Sequence, residues 1–173
     1  MRALVVYESM FGNTQEVARA VAAGLRPSLE VELCEVGRAP ALADLDVDLL
    51  VVGAPTHAFG LSRAGTREDA ATRGEGPVLS AGTGVREWLD AAAPVRGGLA
   101  VAAFDTHVRS PRVPGRASVA AQRRLRHLGA RIACPAESFW VHGYTGPLLD
   151  GELDRARRWG EVLGARVAGA LAT

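Results

Sequence analysis

Ser9, Gly12, Asn13 and Thr14 stand close together in Ser9-Met10-Phe11-Gly12-Asn13-Thr14, directly behind the apolar run Leu4-Val5-Val6-Tyr7. A helical pattern begins at once behind them, with Val17, Ala18, Val21, Ala22 and Leu25 on one stripe. Such a segment reads as a buried strand that feeds a short loop at a helix N-terminus. Ser9 and Thr14 can donate hydroxyls, while Gly12 and Asn13 can offer backbone N–H groups without steric obstruction. The helix dipole favours an anion there, and a phosphate monoester matches the donors in size and charge. No Lys follows the glycine, so the loop is not a Walker loop. A plain helix N-cap is the competing reading of the same residues. Glu8, next to the loop, would repel a phosphate if it pointed inward.

A second polar loop, Gly53-Ala54-Pro55-Thr56-His57-Ala58-Phe59-Gly60, follows the apolar run at 48–53. A third, Phe104-Asp105-Thr106-His107, follows the run at 98–104. Flat or polar side chains in these loops (Thr56, His57, Phe59, Asp105, Thr106 and His107) could cover a planar ligand and touch its edge. His57 and His107 read either as neighbours of that ring or as ordinary loop polarity. A metal site built with Asp105 lacks any paired ligand motif.

The elements that must position these loops alternate along the chain. Strands are expected at 3–7, 29–35, 48–53, 98–104 and 136–141, and helices at 14–26, 85–92, 115–128 and 151–170. This alternation implies an α/β fold: an open, doubly wound, five-stranded parallel sheet covered on both faces, in the order 2-1-3-4-5. The switch point then lies between the first and third strands, and the loops Ser9–Thr14 and Ala54–Gly60 face each other across it. Residues 62–84 break the alternation, with five glycines and a proline among polar residues. They read as a flexible insertion, or as a lid whose Arg63, Arg67 and Arg73 could meet the phosphate of a second ligand. Phe139, Trp88 and Trp159 read as core residues, with Trp140 opposite Phe139 near the surface.

Composition narrows the function classes. The chain has 173 residues, 48% of them hydrophobic, with a net charge of +1, and is expected to form one domain over 1–173. All 20 basic residues are Arg, which rules out a Schiff-base lysine. Arginines crowd residues 109–131, but aromatics do not interleave with them, so no nucleic-acid partner is expected. Cys34 and Cys134 read as buried free thiols. No apolar run approaches the roughly 20 residues of a membrane span. Met1 leads straight into a strand, so no signal peptide and a cytoplasmic location are expected.

The element order and the three loops together resemble the flavodoxin family over nearly the whole chain. The resemblance implies FMN, its phosphate held at Ser9, Met10, Phe11, Gly12, Asn13 and Thr14. It places the isoalloxazine ring between Pro55, Thr56, His57, Phe59 and Gly60 on one side and Asp105, Thr106 and His107 on the other. The segment from Glu137 to Leu153 is similar to that of flavodoxin-like proteins common in actinobacteria. Met10-Phe11-Gly12 looks like the loop of the flavodoxin-like quinone reductases. Three functions follow from the resemblance. The first is electron transfer with a redox partner protein. The second is an FMN-dependent reductase passing hydride from a nicotinamide cofactor to a quinone-like acceptor. The third is an interaction or regulatory module that has lost flavin. A homodimer is compatible with all three.

Overall fold

The computed structural model describes residues 1–57, 59–74, 77–95, 97–109 and 114–171. Ala58 of the second loop, Gly76 of the glycine-rich segment and Arg112 of the basic stretch lie outside the described residues. In chain order the elements are β1 (Arg2–Tyr7), α1 (Asn13–Leu25), β2 (Glu30–Glu35), β3 (Leu49–Pro55), α2 (Ala64–Arg73) and α3 (Val85–Asp90). They continue with β4 (Ala100–Val108), α4 (Ala117–His127), β5 (Arg131–Ile132), β6 (Glu137–Val141) and α5 (Glu152–Leu171).

All strand pairs are parallel, in the order β2-β1-β3-β4, with β5 and β6 both pairing the far side of β4. Ala100 and Val101 pair β5, and Phe104–Val108 pair β6, so the two short strands occupy one edge position in succession. The expected order 2-1-3-4-5 is therefore the observed one, with the fifth strand interrupted at 133–136.

Alternation along the buried strands sends side chains to two separate cores. Ala3, Val5, Leu49, Val51, Ala102 and Phe104 meet the stripes of α1 and α5. Leu4, Val6, Leu50, Val52, Val101 and Ala103 meet α3 and α4. Phe104, Phe139 and Trp159 form an edge-to-face cluster in the first core, with centroids 5.9–6.3 Å apart. Trp88 closes the second core and donates Nε1–H to the Pro40 carbonyl at 3.0 Å. Cys34 and Cys134 are free, as expected, but half-buried rather than buried.

Two expectations change. The strand expected at 98–104 runs on to Val108, because β3 and β6 flank it and continue its ladder on both sides. Asp105, Thr106 and His107 are thus strand residues, not loop residues. Within 62–84 a ten-residue helix, α2, forms despite the glycines. Arg63 N–H donates to Thr66 Oγ1 at its start, and Ala70 and Arg67 are buried on one face.

Glu8 explains how this segment is held. Its carboxylate points away from the Ser9–Thr14 loop, is fully buried, and accepts from Ser62 Oγ and, at 2.8 Å, from Val85 N–H. Arg67 donates to Ser62 Oγ at 2.9 Å and pairs with Glu87 at 3.2 Å. This buried network ties the end of β1 to the start of α2 and to α3. Beyond α2 the chain returns to the first loop: Leu79 N–H donates to Met10 O and Ser80 N–H to Ser9 O, at 3.1 and 2.9 Å.

Tight helix contact predicts one stability pattern. A Cβ on Gly24 would meet Arg157 O at 2.0 Å, and one on Gly160 would meet Val21 O at 2.4 Å, whereas Gly169 faces open space. Gly24→Ala and Gly160→Ala should each cost about 1–3 kcal/mol by forcing α1 and α5 apart. Gly169→Ala should be neutral or stabilising by up to ~1 kcal/mol. Urea unfolding of the three variants checks this.

The buried carboxylate predicts a pH dependence. Burial raises the Glu8 pKa above its ordinary 4.5, outweighing the opposing hydrogen bonds and the Arg67 charge. A raised folded-state value means that the contribution of Glu8 is full below 4.5 and is lost as pH rises through the folded value. Glu8→Gln should remove that decline, so the wild-type urea midpoint should fall relative to the variant as pH rises. A difference between the two that stays constant with pH would contradict this account.

Candidate functional site

The carboxyl ends of β1 and β3 are adjacent, with Tyr7 paired to Gly53, so the loops after them open side by side. Between them lies a crevice of two connected cavities. The inner one, about 50 Å³, is lined by Ser9, Met10, Phe11, Asn13, Thr14, Pro55, Thr56, His57, Thr106, Val108, Val141 and Tyr144. The outer one, about 290 Å³, shares Thr56, His57, Val108 and Tyr144 and adds Phe59, Thr66, Asp69, Arg73 and His107.

The Ser9–Thr14 loop is organised from within. Gly12 has a left-handed φ of +94°, which turns the chain sharply into α1. Ser9 Oγ accepts from Gly12 N–H at 3.1 Å and from Gln15 N–H at 3.3 Å. Ser9 N–H donates to Ser80 Oγ at 3.0 Å and Ser9 O accepts from Ser80 N–H, so the Ser9 backbone splices the two segments together. The hydroxyl oxygens of Thr14 and Thr106 lie 2.8 Å apart and share one hydrogen bond. Asn13 Nδ2 reaches across to the Thr145 carbonyl at 2.9 Å. Phe11 turns outward from the donors and packs between Gly74 at the end of α2 and the Tyr144 ring, 5.6 Å away.

The second loop makes a tight turn in which His57 and Gly60 exchange backbone hydrogen bonds of 2.8 and 2.9 Å. It leaves Phe59 62% exposed at the mouth, with a positive φ of 75°. Thr56 Oγ1 accepts from Ala117 N–H at 3.0 Å, anchoring the loop to the start of α4. Burial pushes the His57 imidazole below its usual pKa, and the Arg67 charge adds to this. Burial thus favours the neutral form of the imidazole.

Strand alternation divides the third group. Thr106 faces the crevice beside Thr14. Asp105 faces α4 instead, where its carboxylate accepts from Ser118 N–H, Ser118 Oγ and Ser138 Oγ at 2.9, 2.6 and 2.6 Å. The Asp105 backbone is paired with Ala54 and Ser138 in the ladder, so it lies in a strand and not in the loop expected at this position. His107 borders the outer cavity and stacks on Trp140, with centroids 5.7 Å apart and planes 24° apart. Gly60 lines neither cavity. Arg67, expected to face a second ligand, is buried in the Glu8 network.

Several lining residues escape the sequence reading. Tyr144 spans the mouth: His57 lies 6.5 Å from its ring, and the Arg73 guanidinium sits 5.3 Å over it. Tyr144 follows β6, and the loop after every parallel strand of such a sheet opens at one end, which is the signal that could have found it. Thr66 and Asp69 are spaced to share one helix face with Arg73, which the sequence had already placed near a second ligand, but that pattern has meaning only once α2 is known to be a helix. Val108 and Val141 reach the crevice because β4 and β6 extend together. Among the described residues no cluster of His, Cys, Asp and Glu could hold a metal ion, and no helix is long and apolar enough to cross a membrane.

Comparison with solved structures places these features in a known fold. A flavodoxin from the domain Archaea is 21% identical, with a TM-score of 0.66 over 96% of this chain and 99% of that one. Flavodoxin 2 from Bacillus cereus is 20% identical, with a TM-score of 0.69 over 95% and 98% of the two chains. The Flv1 flavodiiron core from Synechocystis sp. PCC6803 is 15% identical, with a TM-score of 0.65 over 98% of this chain but 36% of that longer one. At these identities the likeness is one of fold. A search of curated proteins by sequence found no match. The sequence model described as Flavodoxin matches residues 5–159, and the chain belongs to the flavodoxin family.

Proposed function

We propose that this flavodoxin binds FMN in the crevice and transfers electrons to a redox partner. The observation that supports this most is the pairing of the two cavities: a narrow one walled by hydroxyls at the N-terminus of α1, opening into a wider one walled by flat side chains. The residues fit the cofactor at both ends. The N–H groups of Asn13 and Thr14 begin α1 and have no acceptor within it. Ser9 Oγ accepts two bonds from the loop, which leaves its own hydrogen free to donate. In the Thr14–Thr106 pair one hydroxyl donates to the other, so one hydrogen remains for a ligand. Neutral donors and the helix dipole together hold a dianion without a basic side chain.

At the wider end His57, Phe59 and Tyr144 present flat faces, Val108 and Val141 supply apolar cover, and His107 stands at the far wall. FMN, when bound, supplies one- or two-electron carriage. The chain orients the cofactor, excludes water with Tyr144 and Phe11, and disfavours the charged form of His57 beside the ring site by burying it. Phe59 and Leu79, 62% and 51% exposed, give a partner protein an apolar rim to meet. A reductase using a nicotinamide cofactor is the second reading, supported by the Arg73 cation at the crevice mouth. Anaerobic mixing with reduced nicotinamide cofactor separates the two: prompt flavin bleaching favours the reductase.

The purified protein should be yellow or should take up FMN one to one on titration. Thr14→Ala should weaken FMN by about 1–2 kcal/mol, the worth of a hydrogen bond to a charged group, and leave riboflavin nearly unchanged. Equal loss for both ligands would put the phosphate elsewhere.

Tyr144→Ala should weaken FMN and riboflavin alike, by about 0.5–1.5 kcal/mol of aromatic contact. Flavin fluorescence quenched by the wild type should then be partly recovered. Unchanged affinity and quenching in this variant would place the ring away from Tyr144.

A further inference from the structure

We propose, building on the electron-transfer reading of the crevice, that the redox partner docks on the rim formed by Phe59, Arg63, α3 and the outward side of α4, and that it meets this rim with carboxylates.

Charge is segregated along the chain. Between Asp105 and Glu137 there are seven arginines and no acidic residue, in a chain whose net charge is only +1. Arg123 of this stretch is exposed on α4, one turn beyond Val119, which is 38% exposed.

The fold brings further cations to the same side. Arg63 is exposed at the start of α2, and Arg86 comes from α3. Burial, and then the positive charges of Arg124 and Arg63, lower the Arg86 pKa from its ordinary value, while Asp90 and Glu87 act the other way. Both of those carboxylates are already engaged: Asp90 pairs with Arg124 at 2.9 Å and Glu87 with Arg67 at 3.2 Å. Among the described residues no carboxylate pairs with Arg63, Arg86 or Arg123. Cations gathered without countercharge repel one another, and carboxylates from a partner relieve that repulsion.

This rim is continuous with the second loop of the crevice. Arg86 Nε donates to Ser62 O at 2.8 Å and its Nη2 to Leu61 O at 2.5 Å, which fixes the guanidinium against the chain that leaves the loop. The segment before α4 packs on the same loop, since a Cβ on Gly115 would meet Phe59 O at 2.0 Å. Phe59 stands 62% exposed between them, in a left-handed conformation unusual for an aromatic residue. Arg63, Arg86 and Arg123 line neither cavity of the crevice, so the charges border an open face and not a pocket. Apolar contact from Phe59 and Val119 with a charged border is the make-up of a protein interface. A nucleic-acid surface would interleave aromatics with the arginines.

Two acceptors of opposite charge test the proposal: plant plastocyanin, an acidic copper protein, and mitochondrial cytochrome c, a basic haem protein. The FMN-loaded chain, reduced by light, is mixed with each in stopped flow, and one electron passes to copper(II) or to haem iron(III). Transfer to plastocyanin should slow as salt rises, and transfer to cytochrome c should not. Arg63→Glu combined with Arg123→Glu should slow plastocyanin reduction about tenfold at low salt. Arg19→Glu combined with Arg158→Glu makes the same change of charge at exposed positions on α1 and α5, and should change it less than about twofold. Amide NMR of the flavin-free chain with redox-inert, zinc-substituted plastocyanin reads the surface without the cofactor, so failure of the flavin reading leaves the docking surface tested. Salt-sensitive shifts at 59–63 and 115–123 are expected there. Shifts confined to other faces, equal loss in the two double variants, salt-slowed transfer to cytochrome c in place of plastocyanin, or tighter binding of a DNA duplex than of plastocyanin would overturn the proposal.

Discussion

The ladder between β1 and β3 is the constraint on which the rest depends. Parallel pairing from Ala3–Leu49 to Tyr7–Gly53 places two strands side by side whose following segments must leave in opposite directions. Right-handed crossovers send α1 to one face of the sheet and α3 to the other. The gap between the departing chains cannot be filled by either helix. It becomes a crevice at the carboxyl end of the sheet, where the first turn of α1 meets the turn from Thr56 to Gly60.

Everything that shapes the crevice serves to hold those two loops at a fixed separation. Ser80 binds Ser9, Asn13 binds the backbone at Thr145, and Thr56 binds the start of α4. Beneath them the buried Glu8, Ser62 and Arg67 form a charged network that Glu87 closes from the surface. A fully buried carboxylate is tolerated there because it accepts a backbone and a hydroxyl hydrogen bond and has a cation one residue further out. Glu8 also accepts from Val85 N–H and Glu87 from Gly84 N–H, so the network ties residues 61–85 to β1 at several points.

Strand alternation decides the chemistry at the other wall. One residue of β4 faces the crevice and the next faces α4, so Thr106 joins Thr14 while Asp105 caps α4 and organises Ser118 and Ser138. His107 follows Asp105 by two and borders the outer cavity, and Trp140 pairs with it in the register of β6. One strand therefore serves two neighbouring cavities with residues of opposite parity.

Much of this was legible in residues read alone. The apolar runs at 3–7 and 48–53 and the stripe beginning at Val17 are strong periodic signals, because burial on both faces of a parallel sheet demands them. The Ser9–Thr14 loop was visible because a phosphate-sized polar turn between strand and helix has few other uses. Three features were not. Helix α2 was hidden by its glycine-rich flanks, and its stability comes from Arg67 and Ala70 packing on distant residues. The extension of β4 through His107 depends on neighbours from β3 and β6, which no local pattern in Phe104-Asp105-Thr106-His107 contains. Tyr144 enters the crevice only because β6 ends beside it. The sequence by itself determined the order of elements, the two cores and the first loop, since these follow from local periodicity and turn chemistry. Only the tertiary structure decided which side chains of β4 face the crevice, where Glu8 points and what lies over the mouth. Those depend on register and on contacts between segments far apart in the chain, and burial alone does not choose among them.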